Sequence, residues 1–137
     1  MKTIETPVLI VGGGGAGLTA SMLLSTLGIE SRLVSSLPST SVLPKAHILN
    51  QRAMEIMSDV GTADEIYQRS TPPEAFSHTG IYVGFAGHEL AGRQIVKLEC
   101  WGTGGKNETW VAASPLLSTN LPQIRLEPIL KKRADEL

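Results

Sequence analysis

Gly12, Gly14 and Gly17, in "IVGGGGAGLTA" (residues 10–20), have the G-x-G-x-x-G spacing that can hold a diphosphate. The chemistry belongs to the backbone. The first glycine permits a tight turn, the second lets the main chain approach a pyrophosphate, and the third lets a helix pack closely on the preceding strand. Amides exposed at the start of that helix, and the positive end of its dipole, then attract the anion. Such spacing acquires meaning only between a strand and a helix.

The flanking residues supply that context. "PVLIV" (7–11) is a short apolar run of the kind that forms a strand buried on both faces, and the glycines end it. From Leu18 onward, Ala20, Leu23, Leu24 and Leu27 recur at helical spacing, and Gly28 closes the helix. A second strand is expected at about Arg32 to Val34, completing a β-α-β unit with a right-handed crossover. An acid at the end of that strand would ordinarily accept the ribose hydroxyls of either FAD or NAD(P). Ser35 stands there instead, followed by Ser36, while Glu30 precedes the strand. A serine hydroxyl bonds a ribose oxygen more weakly than a carboxylate does. The adenosine end should therefore be held less firmly, and the glycines leave the choice of dinucleotide open.

Farther along, "SSLPSTSVLP" (35–44) reads as a loop. Ala53, Ile56, Met57 and Val60 share one face of a helix expected from Asn50 to Val60, with Gly61 as its stop. Thr62 and Glu65 have capping-box spacing for a shorter helix. Between Thr79 and Cys100, Ile81, Val83 and Phe85 alternate and Ile95, Val96 and Leu98 follow, which predicts two or three antiparallel strands. Another strand is expected near Glu108 to Ala113. A last helix carries Leu126, Ile129, Leu130 and Ala134 on one face, with Pro128 in or near its first turn. The fold class is α/β, a Rossmann-like β-α-β layer followed by the start of an antiparallel sheet.

Bulk properties exclude more than they identify. The 137 residues are one ordinary domain in length, small for a complete cofactor-dependent enzyme, and 42% apolar with a net charge of -1. That balance suits a soluble globular protein and points to neither nucleic acid nor membrane. The single cysteine, Cys100, excludes an internal disulfide and reads as a buried small side chain. The apolar N-terminus is cut by glycines and carries one lysine, so no targeting signal is read and a cytoplasmic location is expected. No metal site is expected either, because no histidine has a second ligand at metal spacing. His47 reads as a structural hydrogen-bonding residue, His78 and His88 carry no signal, and Trp101 and Trp110 read as packing residues. "KKR" (131–133) reads as the solvated end of the last helix.

"PKAHILNQRAMEIMSDVG" (44–61), together with "IVGGGGAGLTASMLLSTLG" and "LPQIRLEPIL", resembles the N-terminal part of the FAD-dependent aromatic hydroxylases, flavoprotein monooxygenases that include phenol and 2,4-dichlorophenol hydroxylases. Pro44, Lys45, Ala46, His47, Asn50, Arg52, Met54 and Glu55 fall in the register of that family's P-R-A-H-x-x-N-x-R-x-M-E pattern. The resemblance implies FAD as cofactor, NAD(P)H as reductant, and a phenolic substrate hydroxylated with molecular oxygen. It places Gly12, Gly14, Gly15, Ala16 and Gly17 against the FAD pyrophosphate. Lys45 replaces the family's arginine toward the phosphates or adenine, keeping the charge but losing the planar fork. Arg52 would lie near the flavin side, and Gln123 would contact the phosphate or ribityl chain. Ser35, with Ser36 beside it, departs from the usual glutamate.

The same resemblance implies that residues 1–137 are an N-terminal piece of the FAD-binding domain, with 79–113 belonging to an emerging substrate-binding sheet. The full-length enzyme is expected to be free of nucleic-acid and membrane partners and to form a homo-oligomer. No catalytic side chain is assigned, since the flavin carries the chemistry. Without the family pattern, Lys45 and Arg52 would read equally well as solvated charges. Two other readings share the β-α-β start: another FAD-dependent oxidoreductase, or a noncatalytic nucleotide-binding fragment.

Overall fold

The computed structural model describes residues 3–84, 89–102 and 107–137. β1 (Val8–Val11) and β2 (Ser31–Val34) pair in parallel, connected by α1 (Gly15–Thr26). Val11 lies opposite Val34, and the Gly12 amide extends the ladder by donating to the Val34 carbonyl at 2.8 Å. Val8, Ile10 and Leu33 are half-buried, whereas Leu9, Val11 and Val34 on the alternate face are exposed. Only one face of this sheet is therefore covered, in contrast to the two-sided burial expected from its apolar run. At the end of α1 the backbone turns at Gly28, which donates to Ser25 while Ile29 donates to Leu24, satisfying the last carbonyls.

β3 (Ile48–Leu49) pairs antiparallel with β6 (Thr119–Asn120). The pairing continues outward, with Leu121 donating to the His47 carbonyl and Gln123 to the Ala46 carbonyl, both at 2.8 Å. α5 (Gln123–Glu136) thus springs directly from a strand paired with the segment that carries Lys45. α2 (Gln51–Asp59) and α3 (Ala63–Arg69) follow β3. Met22 of α1, Met54 and Val60 of the α2 segment, Ile66 of α3, Leu121, and Leu130 of α5 are almost wholly buried in one shared core. Fully burying such a side chain stabilises the fold by roughly 1.5–3 kcal/mol.

β4 (His78–Tyr82) and β5 (Gln94–Glu99) form an antiparallel hairpin, bulged between Ile81 and Tyr82, whose side chains are mostly exposed. Phe85 and His88 lie outside the described residues. The strand expected near Glu108 to Ala113 is instead helix α4 (Asn107–Ala113). Trp110 and Val111 favour strands in isolation, but tertiary contacts prevail. The Trp110 ring covers Gly102, and the Trp110 carbonyl accepts from Gln51 Nε2 at 2.7 Å.

Three further expectations change. Pro128 is the sixth residue of α5, because the helix starts at Gln123; the amide it lacks would have donated to Ile124. Thr62 does not cap α3: it is buried in a helical conformation and its hydroxyl donates to the Met57 carbonyl at 3.1 Å. Nor is the "KKR" run merely solvated. Arg133 Nε donates to the Val60 carbonyl at 2.9 Å and so satisfies the end of α2 from α5, while Lys131 pairs with Asp135.

Asn50 does cap a helix, its Oδ1 accepting from the Ala53 amide at 2.8 Å. Asn50→Ala should cost about 1 kcal/mol of stability and Asn50→Asp almost nothing. Denaturant unfolding of the two variants checks this, and equal stability for all three proteins would contradict it.

Candidate dinucleotide site

Gly12 sits at φ +121, a conformation that side chains rarely adopt, and turns the chain out of β1. A Cβ on Gly17 would be driven into the Gly12 carbonyl, so only glycine lets α1 begin this close to the strand. Gly14 occupies the N-cap position without a side-chain capping bond, and the first turn of α1 holds no acid. The first amides of α1 therefore have no side-chain cap, as an anion site requires. Ala16 is exposed at this turn, and a Cβ on Gly15 would meet open space. These features fit a diphosphate.

Ser35 lies directly against the turn, since a Cβ on Gly13 would come within 3.1 Å of the Ser35 Cβ. Its Oγ accepts from the Leu37 amide at 3.2 Å, which leaves the hydroxyl proton free to donate elsewhere. Ser36 is exposed beside it. A cleft of about 260 Å³ opens here, lined by Gly13, Ser35, Ser39, Thr40 and Lys131. The larger cavity, about 1000 Å³, lies elsewhere, against Tyr67, Thr71, Pro73 and Leu117. In that cavity wall Tyr67 donates to the Leu117 carbonyl at 2.7 Å, and burial raises the pKa of its hydroxyl.

Gln123 heads α5, and its Nε2 donates to Glu127 Oε1 at 2.6 Å. The same Glu127 oxygen lies 3.5 Å from where a Cβ of Gly14 would stand. Glu127 Oε2 accepts from the Ser41 amide at 2.7 Å, and the residue is 1% exposed. One buried carboxylate thus joins the glycine turn, the head of α5 and the 35–44 connection. Sequence reading missed it. The available signal was the i, i+4 spacing of Gln123 and Glu127 on a helix; the Ser41 partner has no local signature.

Lys45 is exposed, next to Ala46, whose carbonyl accepts from the Gln123 amide. His47 Nδ1 lies 3.1 Å from Asn120 Oδ1 across the β3–β6 ladder. Arg52 is engaged by Glu55 at 2.8 Å, and Glu55 also accepts from the Ser114 hydroxyl at 2.7 Å. The structure therefore brings the glycine turn, Ser35 and Gln123 together, with Lys45 one residue before the Ala46 carbonyl that accepts from the Gln123 amide, and joins Arg52 to the segment following α4. Among the described residues no group of three or more His, Cys, Asp or Glu side chains could hold a metal ion.

Known proteins share this arrangement of sequence and fold. The FAD binding domain family model matches residues 5–137. The chain is 39% identical over 134 residues to phenol 2-monooxygenase of Pseudomonas sp. (strain EST1001), covering 97% of this chain and 21% of that protein. It is 38% identical over 133 residues to 2,4-dichlorophenol 6-monooxygenase of Cupriavidus pinatubonensis, covering 96% of this chain and 21% of the relative. The flavin-dependent monooxygenase PieE, in its crystal structure with FAD and substrate, superimposes with a TM-score of 0.85 at 39% identity, covering 99% of this chain and 23% of that one. The chain spans about a fifth of the length of the curated relatives it matches.

Two outcomes follow from this geometry. Gly17→Ala should destabilise the cofactor-free protein by about 1–3 kcal/mol, as overpacking does, while Gly15→Ala should leave it unchanged; chemical denaturation separates them. The Glu55 carboxyl is held below its ordinary value of 4.5, first by the hydrogen bond from Arg52 and then by that from Ser114. A lowered folded-state pKa gives stability that is present above the unfolded value and lost as pH falls through the folded one. The melting-temperature gap between wild type and Glu55→Gln should therefore narrow on acidification below the ordinary value, and a pH-independent gap would contradict the pairing.

Proposed function

The chain belongs to the FAD binding domain family, and from that membership we propose that it forms the FAD-binding portion of an NAD(P)H-dependent aromatic monooxygenase that hydroxylates a phenolic ring. The observation that carries this reading is the uncapped start of α1 at a turn only glycines can form. Identities of 38–39% to monooxygenases named for phenol and 2,4-dichlorophenol support the substrate class. FAD, when bound, would supply the redox chemistry of an NAD(P)H- and oxygen-dependent hydroxylation.

The residues of this chain bind and orient. The amides of Gly15, Ala16 and Gly17 would hold the pyrophosphate, with Gly12 and Gly14 shaping the approach. Gln123 adds a neutral donor and Lys45 a positive charge on the same side. Ser35, which lies against Gly13, would hold the ribose through its hydroxyl, with Ser36 beside it. Arg52 would serve the flavin end; its side chain is paired with Glu55 on the same helix. The exposed hairpin of β4 (His78–Tyr82) and β5 (Gln94–Glu99) is the part of 79–113 that would join the sheet enclosing the phenol. Among the described residues no helix is long and apolar enough to cross a membrane, and a cytoplasmic homo-oligomer completes the proposal.

The complete protein, purified, should retain yellow flavin and oxidise NAD(P)H faster with a phenol present, releasing a hydroxylated product identifiable by mass spectrometry. Flavin-free protein with no phenol-dependent oxidation would overturn the proposal. Ser35→Glu should tighten FAD binding several-fold by restoring a charged acceptor for the ribose. Unchanged or weaker affinity, read by flavin fluorescence titration, would remove Ser35 from the ribose site.

A further inference from the structure

We propose that Glu127 is a positioning residue, fixing which end of the Gln123 carboxamide faces a diphosphate bound at the glycine turn. A carboxamide presents an acceptor oxygen at one end and a nitrogen with two N–H donors at the other, and the two ends have nearly the same shape. Its environment must therefore choose between them. An ionised carboxylate only accepts, so the Gln123 side chain must turn its nitrogen toward Glu127, and the 2.6 Å contact from Nε2 to Oε1 is that bond. One N–H of the nitrogen is spent there. The second stays on the same atom, beside the oxygen that lies 3.5 Å from the Cβ position of Gly14. A reversed amide would instead aim its oxygen at the anion and repel it.

The carboxylate itself has little freedom to move. Its other oxygen accepts from the Ser41 amide at 2.7 Å, the residue is 1% exposed, and it stands one helical turn below Gln123 on α5. Burying a charge is costly unless it is fully hydrogen-bonded, and here both oxygens receive donors. The positive start of α1 at Gly14 offsets the cost further. A neutral glutamine at 127 would accept with one end and donate with the other. It would therefore no longer dictate the orientation of Gln123. The Ser41 bond gives the same carboxylate a second role, anchoring the connection that runs from Ser35 to Lys45.

This inference rests on the FAD-binding reading, and a double-mutant cycle on the complete protein tests both. FAD affinity of the apoprotein is titrated for wild type, Glu127→Gln, Gln123→Ala and the double variant. Loss of a hydrogen bond to a charged group should weaken FAD about tenfold in each single variant, and the double variant should bind no more weakly than Gln123→Ala. Phosphorus NMR of bound FAD should show the pyrophosphate resonances shifted by Glu127→Gln, with the flavin absorption spectrum unchanged. Equal losses from Glu127→Gln in both backgrounds would make Glu127 a merely structural residue and overturn the proposal. Wild-type affinity in Glu127→Gln would do the same. In the wild type, with glutamine selectively labelled with nitrogen-15, the Gln123 side-chain amide should be protected from exchange before FAD is added; a freely exchanging amide would also overturn it. A wild-type protein that binds no FAD would sink the parent reading, a result distinct from binding that ignores residue 127.

Discussion

The close approach of α1 to the end of β1 is the constraint on which the candidate site depends. Gly17 packs where any Cβ would meet the Gly12 carbonyl, and the Gly12 amide is already committed to Val34. Strand, turn and helix are thereby fixed by backbone contacts alone, before any side chain contributes. The uncapped amides of α1 are a consequence of that packing. A helix start without a capping side chain leaves its first donors unsatisfied, and an anion bound there would complete what the protein withholds.

α5 ties this turn to the rest of the molecule. Ile129 and Leu130 bury its middle against the core, Arg133 satisfies the end of α2, and Gln123 and Glu127 place its head at the glycine loop. One helix thus packs into the core along its middle and starts at the candidate site. Its direction is set in turn by the β3–β6 ladder, which leads into Gln123 from β6, while the segment entering β3 accepts the Gln123 amide at Ala46, next to Lys45. Positions that must be accurate for binding are in this way held by contacts that stabilise the fold.

What could be read from the sequence was what short-range physics determines. The β-α-β unit was legible because each glycine performs a steric task that no other residue can, and α2 because Asn50 and the apolar face of Ala53, Ile56, Met57 and Val60 agree. α4 was misread as a strand because Trp110 and Val111 carry strand propensity, while the contacts that override it come from Gln51 and Gly102. Thr62 has capping-box spacing, but burial turned its hydroxyl back to Met57. Glu127 escaped notice for a different reason: its anchor, Ser41, is 86 residues away in sequence. No local pattern announces a partner at that distance.

The sheet beneath the turn shows how far the 137 residues support their own site. A parallel sheet is ordinarily covered on both faces, yet Leu9 is 57% and Val11 80% exposed on one face of β1, and Val34 joins them from β2. These side chains immediately precede Gly12 and Ser35, the two positions where the dinucleotide would first meet the chain. The packing of Gly17 settles where the helix begins, while the strands that carry the turn are packed on one face alone.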